Sequence, residues 1–181
     1  MKEKLTQQQV IERFGLCPLT KEGGLFRETY RSQAALPAEA FGKQYLVGTE
    51  KAAATAIQYM ITPQCFSRLH RLPTDEIYHF YLGDPVQMLL ISPEGEVRQI
   101  RLGQDVLSGM EVQFVVPGGW WQGTRLLPGG EWALVGTTMA PGFDFSDYED
   151  ADAEAMKARH PQWAEEIKIL TDPADFSTVT D

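Results

Sequence analysis

The stretch FSRLHRLPTDEIYHFYLGDPV, residues 66–86, contains two short apolar runs that are joined by one turn and followed by another. The runs FSRLH and EIYHFYL are rich in aromatic and branched side chains, which is typical of β-strands. Side chains an even number of residues apart share a strand face, so Glu76 and Tyr78 share a face that His79 does not. His70 lies before the turn, which lets it approach Glu76 from the neighbouring strand. The stretch therefore predicts two strands that bring His70 and Glu76 together.

Six further runs of this kind flank the central stretch between residues 24 and 140. Turn residues separate them, including several clusters of proline and glycine. Short strands at such regular spacing predict an all-β fold, an antiparallel sandwich or barrel over about residues 24–140. The six runs are residues 25–31, 53–61, 85–91, 96–102, 112–117 and 132–140.

Helices are predicted only at the two ends of the chain. Thr6 and Gln9 have the spacing of a capping box, which indicates a short N-terminal helix. At the other end, Asp144 or Ser146 is expected to cap the first of two short helices that make up a tail over about residues 144–170. The acidic residues of this tail are interpreted as a solvated helix face.

Length and charge limit the classes of function. A chain of 181 residues and 20.3 kDa predicts one domain, residues 1–181. Its net charge of −9 repels phosphate backbones and anionic lipids, so we expect no nucleic-acid and no membrane partner. No apolar run has the roughly 18 residues of a membrane helix, and the N-terminal residues lack the apolar core of a signal peptide. We therefore expect a cytoplasmic protein whose two cysteines, Cys17 and Cys65, are reduced.

The candidate chemistry lies around His70 and Glu76. The sequence has three histidines and no GxSxG, HExxH or phosphate-binding loop motif, which excludes the usual hydrolase, zincin and nucleotide-binding signals. A carboxylate beside an imidazole fixes its tautomer and raises its basicity, as a general base requires. The alternative is that His70 and Glu76 only satisfy each other in the barrel wall. A packing or interface role is expected for His79.

The spacing of these residues resembles the motifs of the cupin superfamily. In the first cupin motif a glutamate precedes a glycine by seven positions, as Glu76 precedes Gly83, and His70 resembles one of the motif's histidines. In the second motif a histidine follows a proline and glycine turn, but here Gln122 stands in that place after Pro117. The resemblance therefore implies a cupin whose final metal ligand is missing.

Four longer stretches resemble the fifth cupin domain family, a domain of unknown function. They are GGLFRETYRS (residues 23–32), the stretch 66–86, VVPGGWWQG (115–123) and VGTTMAPGFDF (135–145). The resemblance covers about residues 10 to 160. It implies a double-stranded β-helix, or cupin jelly roll, with a pocket in its mouth, and it implies a homodimer.

Cupins of similar barrel type include sugar-nucleotide epimerases that work without metal, with a histidine base, a supporting carboxylate and a tyrosine acid. His70 and Glu76 resemble the first two of these groups, so they are the predicted catalytic residues. The acid stays open among Tyr30, Tyr59 and Tyr78. A guanidinium suits an anionic substrate group and a tryptophan suits stacking on a ring. The predicted ligand-binding residues are therefore Gln122, Arg27, Trp120 and Tyr78.

The leading hypothesis is a cupin that binds a small polar metabolite and catalyses metal-independent epimerisation or isomerisation. One alternative is a non-catalytic ligand-binding cupin, because the same pocket serves both. The other is a metal-dependent oxygenase or lyase with His70, Glu76 and Gln122 as ligands. An amide is a weak, neutral ligand, so this set would hold iron or zinc poorly and no cofactor is predicted. The expected partners are the small-molecule ligand and a second copy of the chain.

Overall fold

All eight apolar runs form strands in the computed structural model, which describes residues 5–42, 45 and 47–172. The predicted all-β antiparallel fold is confirmed. The strands are β1 (Cys17–Pro18), β2 (Leu25–Arg31), β3 (Ala35–Pro37), β4 (Glu50–Ala52), β5 (Thr55–Ile61), β6 (Ser67–Arg71), β7 (Glu76–Gly83), β8 (Val86–Ile91), β9 (Val97–Leu102), β10 (Gln113–Val116), β11 (Trp121–Leu126), β12 (Ala133–Met139) and β13 (Glu149–Asp150), and the helices are α1 (Gln7–Phe14), α2 (Ala153–Arg159) and α3 (Ala164–Thr171).

The strands of the described residues form two larger sheets that share one core. The six-stranded sheet has the order β1-β2-β5-β12-β7-β10, and the five-stranded sheet has the order β13-β6-β11-β8-β9. Tyr59 and Tyr78 from the first sheet and Met88 and Leu90 from the second belong to one buried cluster. The inner faces of the two sheets therefore pack together and enclose the barrel interior.

The connection between β6 and β7 carries the chain from one sheet to the other. β6 pairs with β11 and β13, whereas β7 pairs with β10 and β12. The expectation that His70 and Glu76 lie on neighbouring strands is therefore wrong. The intervening turn lets the chain cross, so the two side chains come from opposite walls of the barrel.

The N-terminal helix is as predicted. Thr6 caps α1 and forms the capping box with Gln9, and Gly15 ends the helix in the left-handed conformation at φ 62°. Such a φ favours glycine because it has no Cβ. No helix among the described residues is long and apolar enough to cross a membrane.

The C-terminal tail becomes helical later than predicted. Asp144 caps only a short 3-10 turn, and the first α-helix of the tail begins after Asp152. Between them, Tyr148 is buried and Glu149–Asp150 forms β13 against β6. Pairing with the sheet competes with helix formation here, which shortens the predicted helix at its N-terminal end.

Candidate functional site

Three predicted site residues meet between the two sheets. Gln122 of β11 lies directly opposite His70 of β6, so both side chains point from the five-stranded sheet into the barrel. Glu76 of β7 reaches them from the other sheet, and the Gln122 Nε2 donates to its Oε2 at 2.6 Å. His70 and Gln122 are each 1% exposed and Glu76 is 6% exposed. A buried polar contact therefore joins the two walls of the barrel.

The His70 ring is fixed by two contacts. Its Nδ1 lies 2.7 Å from the backbone carbonyl of Arg68, an arrangement that places the proton on Nδ1 and leaves Nε2 as an acceptor. Its ring stacks on Tyr148 with 4.9 Å between the centroids. Burial lowers the pKa of His70, although the Glu76 carboxyl acts in the opposite direction. His70 is therefore neutral near pH 7, and the described residues show no hydrogen bond between it and Glu76.

The pKa of the Glu76 carboxyl shifts in the opposite direction to that of His70. Burial raises its pKa, and the carboxyl of Glu22 raises it further, while His70, Thr137 and Gln122 lower it. Removal from water disfavours the charged form of a carboxyl, and a second carboxyl nearby adds like-charge repulsion. Glu76 therefore keeps its proton to a higher pH than an exposed glutamate does.

A cavity of about 190 Å³ opens beside Glu76. The residues around it come mainly from β2, β5 and β12 and from the segment that follows β12. His70 and Gln122 do not line it; they lie behind Glu76. The lining residues are Leu19, Glu22, Phe26, Glu28, Arg31, Thr55, Ile57, Leu72, Glu76, Thr137, Met139, Phe143, Asp144 and Phe145.

Glu22 is a second cavity carboxyl, which the sequence analysis missed. It lies between β1 and β2, and its Oε1 accepts a hydrogen bond from the Ser67 hydroxyl at 2.8 Å. Its backbone carbonyl accepts from the Arg68 N–H at 3.0 Å, which ties this segment to β6. Burial raises the pKa of Glu22 to about 7. It directly precedes the GGLFRETYRS stretch, and this proximity is the one signal that could have drawn attention to it.

Arg27 does not lie at the cavity, contrary to expectation. It is exposed on the other face of β2, where its Nη2 donates to the Gln58 amide oxygen at 3.3 Å. A bulge at Thr29 shifts the alternation of β2 by one residue, because Glu28 pairs with Ile57 and Tyr30 pairs with Ala56. Phe26, Glu28 and Arg31 therefore line the cavity.

The predicted aromatic residues also lie away from the cavity. Trp120 is partly buried against the core, with the Arg98 guanidinium 5.4 Å from its ring centroid. Tyr78 is buried in the core, and Tyr59, also buried, donates its hydroxyl to the Gly23 carbonyl at 2.7 Å. Burial raises the pKa of both phenols well above the ordinary value. Tyr30, the third candidate acid, is exposed on the outer face.

His79 lies on the outer face of the six-stranded sheet, as the alternation predicts. Its Nε2 lies 3.1 Å from the Thr138 hydroxyl and its Nδ1 lies 3.2 Å from the Gln113 amide nitrogen. These contacts are with neighbouring strands of the same sheet. His79 is therefore separate from the pair formed by Glu76 and Gln122.

The comparison with known families agrees with this geometry. The family described as "Cupin superfamily (DUF985)" matches residues 8–151. The chain belongs to the cupin superfamily. Within that family, the cupin jelly roll inferred from the four sequence stretches is confirmed.

Related proteins cover most of this cupin. "Uncharacterized protein YML079W" from Saccharomyces cerevisiae is 33% identical over 161 residues, which is 83% of this chain and 79% of the yeast protein. The structure of a hypothetical protein from Leishmania major has a TM-score of 0.80 at 29% identity and covers 92% of this chain and 98% of that chain. Protein SO0799 from Shewanella oneidensis has the same TM-score and identity and covers 94% and 99% of the two chains.

A more distant likeness shows the fold alone. A mutant of Bacillus subtilis oxalate decarboxylase has a TM-score of 0.51 at 15% identity, and the match covers 89% of this cupin and 39% of the larger chain. Mn(II) centres are described for that enzyme.

His70, Glu76 and Gln122 do not fit a transition-metal site. Gln122 stands where the second cupin motif has a histidine, and its neutral amide is a weak ligand whose nitrogen already binds the Glu76 carboxyl. In the part of the chain that the structure describes, no group of three or more His, Cys, Asp or Glu side chains could hold a metal ion. We therefore derive no chemical step through a metal.

Proposed function

We propose that this cupin binds a small polar molecule in the cavity beside Glu76 and that the bound molecule contacts the Glu76 carboxyl. The observation that carries the proposal is the cavity of about 190 Å³ with a buried carboxyl on its wall. Ligand pockets are typically mostly apolar, with a few polar groups that fix the orientation of the ligand. Leu19, Phe26 and Ile57 supply such an apolar wall here.

The finer proposal is metal-independent proton transfer, such as epimerisation or isomerisation. Two cavity carboxyls, Glu22 and Glu76, have raised pKa values, and that of Glu22 is about 7. A group that titrates near the working pH is suited to general acid and base catalysis. Because Glu76 lines the cavity and His70 does not, the proposal makes Glu76 the group that exchanges a proton with the ligand. His70 becomes a positioning residue, because it lies directly opposite Gln122, whose amide binds the Glu76 carboxyl.

Native mass spectrometry of the purified protein, combined with elemental analysis, tests ligand binding. We expect a small organic molecule bound to the 20.3 kDa chain. Ile57→Trp fills the cavity wall and should abolish this added mass. Ile100→Trp, which introduces the same side chain on β9 outside the cavity, should retain it. A molecule that survives Ile57→Trp would contradict binding in this cavity, and a stoichiometric transition metal after chelator dialysis would support the metal-dependent alternative.

Deuterium exchange distinguishes catalysis from simple binding. The copurified ligand is returned to the protein in D₂O, and its mass is followed with time. The wild-type protein should introduce deuterium into the ligand, Glu76→Gln should stop this, and His70→Asn should slow it without loss of binding. A ligand that binds but never exchanges would favour the non-catalytic alternative.

A further inference from the structure

The cavity wall is strongly acidic. Its lining includes four acidic side chains, Glu22, Glu28, Glu76 and Asp144, and one basic side chain, Arg31. The whole chain carries a net charge of −9, and four acidic side chains against one basic side chain give the cavity a negative field as well. Such a field lowers the local concentration of anions and raises that of cations.

The Arg31 guanidinium has no free charge to offer an anion. Its Nε and Nη2 bind the two oxygens of Glu28 at 2.9 and 2.6 Å, and Nη2 also donates to the Phe143 carbonyl at 3.2 Å. Asp144 adds a further negative charge close to it. The Nε and Nη2 donors of the Arg31 guanidinium are therefore already occupied by Glu28. The cavity thus lacks the bidentate donor pair that usually binds a carboxylate or phosphate.

Apart from the hydroxyls of Thr55 and Thr137, the polar side chains that remain in the cavity wall are carboxyls. No lysine or arginine in the described part of the chain forms an ion pair with Glu22 or Glu76. Behind Glu76, the Oε1 of Gln122 is buried and has no hydrogen-bond partner. Gln122 does not line the cavity, so a ligand there would reach Glu22 and Glu76 and not this amide oxygen. The two carboxyls have no ion-pair partner among the residues that the structure describes, and a cationic ligand would supply one.

Aromatic side chains form the other part of the wall. Phe26, Phe143 and Phe145 line the cavity. The Nζ of Lys21 already lies 5.8 Å from the Phe145 ring centroid and donates to the Phe145 carbonyl at 3.5 Å. Aromatic faces attract cations through the quadrupole of the ring. These phenylalanine side chains therefore form an environment in which an ammonium group is stable.

We infer that the cavity takes a small organic cation, an amine whose ammonium group binds the carboxylates of Glu22 and Glu76 and whose apolar body packs against the phenylalanines. The cavity volume of about 190 Å³ limits the ligand to a small amine. This inference rests on the proposed function, because it names the chemical class of ligand for the same cavity.

Three probes of one shape and different charge test the inference: benzylammonium, benzyl alcohol and benzoate. Isothermal titration calorimetry at pH 8 should give the tightest binding for benzylammonium, weaker binding for the alcohol and none for benzoate. Glu22→Gln and Glu76→Gln should each weaken benzylammonium binding by about tenfold or more, because each removes a cavity partner of the charge. Glu96→Gln, which removes the same charge at an exposed turn outside the cavity, should leave the affinity unchanged.

The pH dependence gives a second readout. With a pKa of about 7, Glu22 holds its proton at pH 6 and has lost it at pH 8, while benzylammonium stays charged at both values. Affinity should therefore rise by up to about tenfold from pH 6 to pH 8, and Glu22→Gln should remove this rise. Burial raises the pKa values of the nearby phenols and lowers that of His70, so none of these groups gains a charge as the pH rises over this range. The titratable and charged groups that interact with Glu22 or share the cavity wall with it are Glu28, Arg31, Tyr59, Glu76, Tyr78, Asp144 and Tyr148.

The outcomes separate this inference from the proposed function. Suppose that benzoate or benzyl alcohol binds at least as tightly as benzylammonium and that Ile57→Trp abolishes this binding. That result would overturn the assignment to cations and support the cavity as a ligand site. Benzylammonium binding that neither glutamate variant weakens would also overturn the assignment. If no probe binds, the assignment fails, and native mass spectrometry decides the proposed function on its own.

Discussion

Gln122 occupies the place where the second cupin motif has a histidine, and its amide bridges the two walls through Glu76. Gln122→His would place an imidazole opposite His70 and beside a carboxyl, which is a better set of ligands for nickel or iron. We expect this variant to bind Ni²⁺ at least about tenfold more tightly than the wild type, measured by titration calorimetry after dialysis against a chelator.

Gln99→His is the matched control, because Gln99 is exposed on β9. This variant adds one histidine on the surface, away from His70 and Glu76. It should leave the nickel affinity near that of the wild type. Equal nickel affinities for the two variants would show that His70, Glu76 and position 122 do not converge as described.

Glu22 gives a prediction on stability. Its pKa is about 7 in the folded chain against an ordinary value of 4.5, so the folded state binds more protons between these values. Stability from this group is therefore present at low pH and lost as the pH rises toward and past 7. Glu22→Gln cannot titrate, so it should not lose stability in this way. The difference in unfolding free energy between this variant and the wild type should therefore shift by about 2 kcal/mol in favour of the variant from pH 5.5 to pH 8.

Urea denaturation at the two pH values measures this difference. Glu50→Gln serves as the control, because Glu50 is exposed at the start of β4. Its effect on the free energy of unfolding should be the same at both pH values. A Glu22→Gln variant that follows the wild-type pH dependence would show that the Glu22 carboxyl is not buried in solution.

At the scale of single residues, strand alternation predicted the shared face of Glu76 and Tyr78 and the separate position of His79. Cupin motif positions predicted that Gln122 meets Glu76. Arg31 was missed because a bulge reverses the alternation within β2, and nothing in the local pattern marks it. Glu22 was missed because only the fold shows which loop residues line a cavity.

Among the elements, β11 carries Gln122 and rests on α3. Gly123 lies under the helix, and a Cβ there would come within 3.2 Å of the Leu170 Cδ1 and of the Leu69 Cα. Leu170 is fully buried, so Leu170→Ala should lower the free energy of unfolding by about 2–5 kcal/mol through the cavity that it creates.

The adjacent residue is a close control for this change. Ile169 is 39% exposed, and Ile169→Ala should cost less than about 1 kcal/mol in the same urea titrations. Equal losses for the two variants would indicate that α3 does not pack on the outer face of the five-stranded sheet.

Apolar runs predicted most of the sheet strands but not β11. The sequence WQGTRL has few apolar residues, because its inward positions hold Gln122 and Thr124 and its outward positions include Gly123 and Arg125. Polar and small residues replace the usual apolar alternation, so this strand is recognised only through its pairing with β6 and β8. The short β13 was hidden in the same way within a segment of helical composition.

For the whole molecule, the homodimer and the cytoplasmic location stay predictions. The outer face of the six-stranded sheet exposes Tyr30, Tyr81 and Val115, at 55%, 42% and 47%. An apolar and aromatic sheet face of this kind is suited to burial against a second copy. Sedimentation velocity at micromolar concentration should show a species of twice 20.3 kDa.

Val115→Arg should convert this species to the monomer by burying a charge in the interface. Leu36→Arg, at an exposed position of β3, should remain dimeric. A wild-type chain that sediments only at 20.3 kDa would contradict the dimer.

The central claim is that the cavity beside Glu76 binds a small organic cation, and a crystal structure grown with benzylammonium tests it most directly. The account predicts the ligand inside the cavity, with its nitrogen about 2.7–3.2 Å from a carboxylate oxygen of Glu22 or Glu76. A structure in which benzylammonium lies elsewhere on the surface, or in which the two carboxyls turn away from the cavity, would contradict it.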